Sequence, residues 1–430
     1  MTTLKAVRGT RDLLPPETAL WNRIEATARA VFARYNFGEI RTPVFEDTAL
    51  FARGVGEETD IVSKEMYTWE DRARAQSEKT QTLTLRPENT AGVVRAYIEH
   101  QLGESGQLQK LYYIGPQFRR ERPQKGRYRQ FSQIGAEVIG PPSSGSESPL
   151  RDAEILEMLA TLLDELGITG WKLELNSVGS ATDRARYNET LRSALVPVVG
   201  QMCPDCQRRA VTNPLRVLDC KVPADQPIID SLPVIADSLD DASREHFAAV
   251  LAALDAASVP YTRNHRLVRG LDYYTRTTFE FTHGGLGAQN ALLGGGRYDG
   301  LSEAIGGPKA PGIGFAMGED RLVLTLQALE AAPEPKADAF IAPLGDGLNP
   351  AALVLARELR HKGLWIELGE GSFRLKKSFD AADKTARAIV ILGEDELQSG
   401  ILTVKTFATG IQTKVPRAEL AVFLSKPASE

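Results

Sequence analysis

Apolar residues recur every three to four positions near the start of the chain, after Pro15 and Pro16. The positions that share this face are Leu20, Trp21, Ile24, Ala28, Val31, Phe32 and Tyr35. That spacing predicts an amphipathic helix that ends near residues 36–38. Residues 39–45 then change to a pattern typical of a strand. Because Pro43 has no N–H to donate to a ladder, this strand is predicted to lie at a sheet edge or an interface.

Two longer segments, 111–120 and 128–139, predict strands joined by a charged loop, which together form an antiparallel hairpin. Before them, a short strand at 82–85 runs into Pro87, which suits the first turn of a helix that continues to about His100. The later elements predicted for this part of the chain are a helix at 151–166, a strand at 267–281, and a strand end followed by a helix at 314–329.

The remaining pattern divides the chain into domains. Residues 180–261 are helical, rich in Ala and Leu, and hold all three cysteines, which predicts an inserted helical subdomain. The sequence Ala-Ala-Pro-Glu-Pro-Lys predicts a linker at 331–337 between a catalytic domain at 1–330 and a second domain at 338–430. The second domain is predicted to be α/β. Its predicted elements are strands at 339–343, 364–368 and 388–392, helices at 350–361 and 373–383, a polar hairpin, and a last helix at 417–424.

Composition and charge narrow the class of protein. The 430 residues are 42% hydrophobic and 25% charged, as in ordinary globular proteins of two or three domains. A net charge of −5 argues against a protein that coats DNA, yet it permits an RNA partner that meets a local basic surface. The sequence has neither an apolar run that would cross a bilayer nor the apolar core of a signal peptide, so no membrane association is expected. An odd number of cysteines favours a reducing compartment, with the cytoplasm as the default.

The second strand of the hairpin places unusual polar residues on one face. Because strand side chains alternate, Phe131, Gln133 and Glu137 point the same way, and a buried glutamine and carboxylate need polar partners. A ligand with hydrogen-bond donors would supply them, and Arg119 and Arg127 could flank a phosphate chain. A solvated hairpin with a charge-rich face explains the same pattern, so both interpretations stay open at this point.

The hairpin also resembles a known family motif. Phe-Arg-Arg-Glu at 118–121, followed by a loop and Arg127-x-x-x-Phe131, is similar to motif 2 of the class II aminoacyl-tRNA synthetases. The segment 311–322 resembles motif 3, with Arg321 in the first turn of a helix, and Arg41-Thr-Pro43 fits the weaker motif 1. The resemblance implies a class II fold, namely an α+β catalytic domain on an antiparallel sheet with flanking helices and a C-terminal α/β anticodon-binding domain.

Two further segments indicate which amino acid is involved. Residues 267–274 and 295–301 resemble signatures of the histidyl-tRNA synthetases, although Tyr273 and Tyr274 alone would suggest core packing. The resemblance implies that Arg119 and Arg269 act in catalysis. It implies ATP-binding roles for Arg119, Glu121, Arg127, Phe131 and Arg321. It implies histidine-binding roles for Glu88, Asn89, Thr90, Gln133, Glu137, Tyr273, Tyr274 and Tyr298.

The family further implies a reaction and partners. The carboxylate of histidine is expected to attack ATP, giving histidyl-adenylate and pyrophosphate. AMP is then expected to leave as the amino acid passes to its tRNA, and Mg²⁺ is expected to accompany ATP. A polar pocket for imidazole rejects apolar competitors by about 10⁴, so no editing domain is expected. Arg374, Lys376 and Lys377 could meet tRNA phosphates, as could the loop 122–126 near the acceptor stem, although a basic helix face is more often merely solvated. A homodimer is expected from motif 1.

Two other patterns suggest a metal site or a phosphate-binding loop. Cys203, Cys206 and Cys220 suggest zinc, but a structural site needs four ligands and no fourth cysteine exists. His246 and His265 could complete the set, yet structural thiols are favoured, and no protein-only metal site is predicted. Gly-Gly-Gly at 294–296 lacks the Lys-Ser/Thr of a P-loop and is interpreted as backbone that permits close approach.

Rival functions differ in the residues they require. A regulatory subunit that binds histidine without catalysis would be expected to lack the anticodon-binding module and some of the catalytic arginines. A sensor of uncharged tRNA would be fused to a kinase, for which this chain has no room. A class II ligase for another amino acid is disfavoured by residues 267–274.

Overall fold

The computed structural model describes residues 3–57, 59–71, 80–124, 126–286, 290–329 and 336–425. It divides into two units, Met1–Ala331 and Ala332–Glu430. Most of the predicted linker at 331–337 and Lys125 of the loop 122–126 lie outside the described residues. None of the described helices is long and apolar enough to cross a membrane.

Unit 1 is built on an eight-stranded sheet in the order β1-β5-β6-β11-β10-β9-β7-β8, beside a three-stranded sheet in the order β2-β4-β3. Its strands are β1 Gly38–Glu39, β2 Phe45–Asp47, β3 Tyr67–Asp71, β4 Gln81–Leu85, β5 Gln109–Phe118, β6 Gln130–Ile139, β7 Trp171–Ser177, β8 Thr262–Arg263, β9 Thr275–His283, β10 Ala291–Arg297 and β11 Gly312–Gly318. The large sheet is antiparallel except at its ends, where β1 runs parallel to β5 and β8 parallel to β7. This is the mixed α+β architecture expected of the class II fold.

Unit 1 also contains helices, some packed on the sheet and others in the insertion. They are α1 Glu17–Arg34, α2 Thr48–Val55, α3 Thr90–Glu99, α4 Pro149–Glu165, α5 Ala181–Leu195, α6 Pro204–Thr212, α7 Gln226–Asp230, α8 Asp241–Ala256, α9 Leu301–Ala304 and α10 Glu319–Ala328. The predicted apolar face of α1 is buried in one large core with α4, α8, α10 and the sheet. Each such large side chain contributes roughly 1.5–3 kcal/mol by leaving water.

The insertion forms its own smaller core. Helix α5 begins with a capping box in which Ser180 and Asp183 satisfy each other's backbone N–H groups. Tyr187, Cys206 and Cys220 are buried in this core. The subdomain therefore has the interior needed to hold its short helices in place.

Unit 2 is a five-stranded sheet in the order β13-β12-β14-β15-β16. Its elements are β12 Ala339–Pro343, α11 Asn349–His361, β13 Ile366–Leu368, α12 Leu375–Thr385, β14 Ala388–Leu392, α13 Glu394–Ser399, β15 Ile401–Thr406, β16 Gln412–Pro416 and α14 Leu420–Ser425. Strands β13, β12 and β14 are parallel, as strand–helix alternation predicts, and β14, β15 and β16 are antiparallel.

Two predicted elements differ from the structure. The strand at 39–45 is wrong as a unit, because only Gly38–Glu39 pairs with β5 and a separate strand begins at Phe45. The strand predicted at 267–281 begins only at Thr275, and the residues before it form a loop. Helix α13 was not predicted, since its six residues are too few to show a helical repeat.

Candidate active site

A cleft opens over the middle of the large sheet, where β6, β9, β10 and β11 lie side by side. The predicted site residues that line it are Glu88, Thr90, Arg119, Glu121, Arg127, Phe131, Gln133, Arg269, Tyr273, Tyr274 and Arg321. These residues come from segments far apart in the chain, and the sheet brings them together. The cleft is rich in cationic groups at one end and in buried acidic and phenolic groups at the other.

Arg119 is held by contacts from three directions. Its Nε donates to the carbonyl oxygen of Pro87 at 2.9 Å, and its guanidinium lies 5.2 Å from the centre of the Phe131 ring. Glu121 lies 4.0 Å from Arg119 and 3.2 Å from Arg127. The hairpin β5–β6 therefore presents an oriented guanidinium, an aromatic face and a carboxylate on one side.

Arg269 lies opposite, on the loop before β9, and forms an ion pair with Glu280 of that strand. Burial acts to lower the pKa of Arg269, but Glu280, together with the nearby Tyr274 and Asp219, more than offsets burial and raises that pKa. The guanidinium packs against the backbone of Gly294, where an added Cβ would lie 2.4 Å from its nearest atom. The interpretation of 294–296 as backbone that permits close approach is confirmed.

Arg321 lies in the first turn of α10 and donates to the carbonyl oxygen of Ala291 at 2.7 Å. Burial and the charge of Arg127 both lower the pKa of Arg321. Positive groups crowded in this way favour an anion between them. The cleft can thus receive a chain of phosphates along Arg119, Arg269 and Arg321.

Glu88 lies at the beginning of α3 and is almost fully buried. Its carboxylate accepts from the backbone N–H groups of Thr90 and Ala91 at 2.9 and 3.0 Å, and from the Tyr273 hydroxyl at 3.4 Å. Burial nevertheless raises the pKa of Glu88. A cationic ligand group would relieve that cost.

Glu137 lies directly behind this group and is completely buried. Its two oxygens accept from Thr90 Oγ1 and from the Tyr298 hydroxyl, each at 2.7 Å. Burial raises the pKa of Glu137 to about 8. The neighbouring strand makes room with Gly314, where a Cβ would lie 1.7 Å from the carboxylate.

Gln133 and the tyrosine pair complete the inner end. Gln133 is 8% exposed, and its Oε1 has no hydrogen-bond partner among the described residues. The rings of Tyr273 and Tyr274 lie 4.7 Å apart, and burial raises the pKa of Tyr274 to about 12. This end therefore offers an unpaired acceptor and neutral phenols to a polar ligand.

Three predicted site residues do not line the cleft. Glu137 and Tyr298 stand behind Thr90 and Tyr273, and the Asn89 side chain accepts from Thr42 Oγ1 at 2.7 Å. Glu280, the partner of Arg269, was not predicted. A carboxylate between the two buried aromatic residues Phe279 and Phe281 was the signal that could have indicated it.

Family models match both units. A model described as Histidyl-tRNA synthetase matches residues 9–322, and one described as Anticodon binding domain matches residues 338–426. Together they cover most of the chain.

Individual proteins match along almost the whole length. The histidine–tRNA ligase of Koribacter versatilis (strain Ellin345) is 73% identical, over 98% of this chain and 96% of that protein. That of Solibacter usitatus (strain Ellin6076) is 55% identical, over 98% and 99% respectively. Among solved structures, apo histidyl-tRNA synthetase of S. aureus aligns with a TM-score of 0.79 at 37% identity, covering 99% of this chain and 100% of that one.

Proposed function

The chain belongs to the histidyl-tRNA synthetase family, and we infer from this that it catalyses the ATP-dependent ligation of L-histidine to its cognate tRNA. The reaction passes through histidyl-adenylate and releases pyrophosphate and then AMP. The observation that carries the assignment within the molecule is the cleft itself. Arg119, Arg269 and Arg321 lie at one end and a buried set of hydrogen-bonding groups at the other.

We propose that the arginine end binds ATP, which enters as its magnesium complex. Phe131 would stack on the adenine base and Glu121 would accept from its amino group. Arg119 and Arg269 would lie beside the α-phosphate and Arg321 beside the γ-phosphate. A guanidinium binds phosphate oxygens through two parallel N–H groups, which a lysine cannot do.

In the activation step, a carboxylate oxygen of histidine forms a bond to the α-phosphorus, and the bond to the bridging oxygen of pyrophosphate breaks. Negative charge accumulates on the phosphate oxygens. Arg119 and Arg269 are already oriented by Pro87 and Glu280, so they stabilise this charge with little reorganisation. In the second step a terminal ribose hydroxyl of the tRNA attacks the activated carbonyl, and AMP leaves.

We propose that the inner end binds histidine. Glu88, Thr90 and the unpaired Oε1 of Gln133 would meet the α-ammonium group. Tyr273 and Tyr274 would enclose the imidazole. Glu137, Tyr298 and Asn89 would act from behind, because they hold Thr90 and the start of α3 in place.

The partners follow from the family and from unit 2. We propose that unit 2 binds the anticodon through the exposed Arg374, Lys376 and Lys377, and that the loop 122–126 approaches the acceptor stem. We also propose a homodimer in the cytoplasm, which is supported by the family resemblance of Arg41-Thr-Pro43 and by three free cysteines.

The test is ATP–pyrophosphate exchange with each standard amino acid in turn. We expect exchange with histidine alone, and a fall of about 100-fold or more in Arg269→Ala. Arg269→Lys should restore little, because a lysine lacks the paired donors. Arg263→Ala, on the exposed strand β8, is the matched control and should retain full activity.

Two outcomes would contradict the proposal. Histidine binding without exchange would indicate a regulatory protein rather than a ligase. Exchange with another amino acid would keep the reaction class and overturn the assignment of the inner end.

A further inference from the structure

The inserted subdomain brings its three cysteines and one aspartate to a single point. One ligand atom each from Cys203, Cys206, Cys220 and Asp225 lies within 4.8 Å of the others. Cys206 lies in the first turn of α6, and Cys203 immediately precedes that helix. Cys220 follows a short 3₁₀ helix, Pro214–Asp219. Two short stretches of chain, residues 203–206 and 220–225, thus bring four polar groups to one centre inside an apolar core, which packing alone would not be expected to do.

The distances match those of a tetrahedral metal site. Zn–S bonds near 2.3 Å place two thiolates about 3.8 Å apart, and a carboxylate oxygen about 3.5 Å from a sulfur. The Sγ atoms of Cys203 and Cys220 lie 3.9 Å apart, and Cys220 Sγ lies 3.3 Å from Asp225 Oδ2. The backbone N–H of Val222 also points at Cys220 Sγ, at 3.4 Å, as donors around a metal-bound thiolate do.

The buried carboxylate of Asp225 also indicates a bound cation. Asp225 is 1% exposed, and its carboxylate is contacted by the Cys203 N–H at 3.2 Å and by the Cys220 thiol. Within the described part of the chain, no basic side chain forms an ion pair with it. A buried carboxylate without a cation is costly, and a divalent ion would remove that cost.

We propose that Cys203, Cys206, Cys220 and Asp225 bind one structural Zn²⁺ ion. Three sulfurs and one oxygen close the tetrahedron, which leaves no open position for catalysis. The sequence alone favoured structural thiols because it has no fourth cysteine. Asp225 supplies that ligand, whereas His246 bonds to Asp152 at 2.9 Å and His265 is exposed.

A metal ion at this site would stabilise the position of the loop that carries Arg269. Residues between Cys206 and Cys220 contact the loop that carries Arg269. Asn213 Nδ2 donates to Asp272 at 2.9 Å, and a Cβ on Gly270 would lie 3.4 Å from the Arg216 guanidinium. A metal ion that ties both ends of this segment together would hold it against the Arg269 loop.

The first test is metal analysis of the full-length chain purified without chelators. We expect one equivalent of zinc, reduced by at least tenfold in Cys206→Ser and in Asp225→Asn. Asp205→Asn is the matched control, because Asp205 lies between two proposed ligands but is exposed and paired with Arg208 at 2.9 Å. This variant should retain its zinc. Zinc that persists in both ligand variants would overturn the proposal.

The second test uses the wild-type chain, so it does not depend on folding of a variant. After zinc is removed with a chelator, cobalt(II) is added and the absorption spectrum recorded. A tetrahedral site with three sulfurs gives intense visible ligand-field bands and a sulfur-to-cobalt charge-transfer band. Three titratable thiols without any cobalt spectrum, or a disulfide between Cys203 and Cys220, would overturn the proposal.

Discussion

Glu137 shows how burial sets the charge of a single residue. It accepts two hydroxyl hydrogen bonds, yet it lies in the interior beside the acidic Glu88, so its pKa rises to about 8. Near neutral pH most of the molecules carry a proton there. The residue therefore acts as a neutral support for Thr90 and Tyr298 rather than as a fixed negative charge.

This assignment predicts a particular pH dependence. The folded protein keeps a proton on Glu137 that the unfolded chain loses near pH 4.5, so the group's contribution to stability falls as pH rises towards 8. In Glu137→Gln that loss is absent. As pH rises from 6 to 9, the free energy of unfolding of the variant, relative to that of the wild type, should increase by on the order of 3 kcal/mol.

Urea unfolding at pH 6, 7.5 and 9 measures the difference. Glu104→Gln, at an exposed position, is the control and should follow the wild type throughout. Parallel pH curves for Glu137→Gln and the wild type would mean that Glu137 is ionised in the folded protein.

Among the elements, strand β11 depends on the absence of a side chain. Gly314 lies opposite Glu137 in the β6 ladder, and an added Cβ would overlap the carboxylate. Gly314→Ala should lower the free energy of unfolding by roughly 1–3 kcal/mol, the usual cost of overpacking a core. It should also weaken histidine binding, because Glu137 must move away from Thr90.

Thermal unfolding and histidine titration of the purified variant measure both effects. Gly300→Ala is the matched control, because a Cβ there meets nothing within 4 Å. Equal melting temperatures and equal histidine affinities for the two variants would show that β11 can shift at no cost.

The elements also differ in how far their sequence predicts them. The hairpin β5–β6 was predictable because its two strands are each ten residues long and flank a charged loop. Its site residues follow from the rule that successive side chains of a strand point to opposite faces. The structure of residues 39–45 was not predictable, because β1 consists of two residues that pair with β5, far along the chain. The ion pair of Arg269 with Glu280 was not predicted for a related reason. The composition of the residues before β9 is typical of a strand, but these residues form a loop beside the cleft.

For the whole molecule, a net charge of −5 leaves open where a polyanion binds. Arg374, Lys376 and Lys377 are exposed at the start of α12, and Lys377 lies over the Phe373 ring at 3.5 Å. Replacing all three by Glu should raise the KM for tRNA at least tenfold and weaken its dependence on salt. ATP–pyrophosphate exchange should be unchanged, because that step uses unit 1.

Aminoacylation kinetics at two salt concentrations provide the measurement. Lys362→Glu, at an exposed position after α11, is the control and should change the KM for tRNA much less. A triple variant that charges tRNA normally would place the RNA-binding surface elsewhere in the chain.

The crowded glycines beneath the cleft also constrain how the gene can change. A single-base change at the first or second position of a glycine codon introduces a side chain or a stop, and a third-position change is silent. At Gly294, Gly295 and Gly314 the new Cβ would lie 2.4, 2.1 and 1.7 Å from a neighbouring atom. A point mutation in these codons is therefore either silent or structurally disruptive. A side chain can be introduced at these glycines only after the neighbouring residues have changed position.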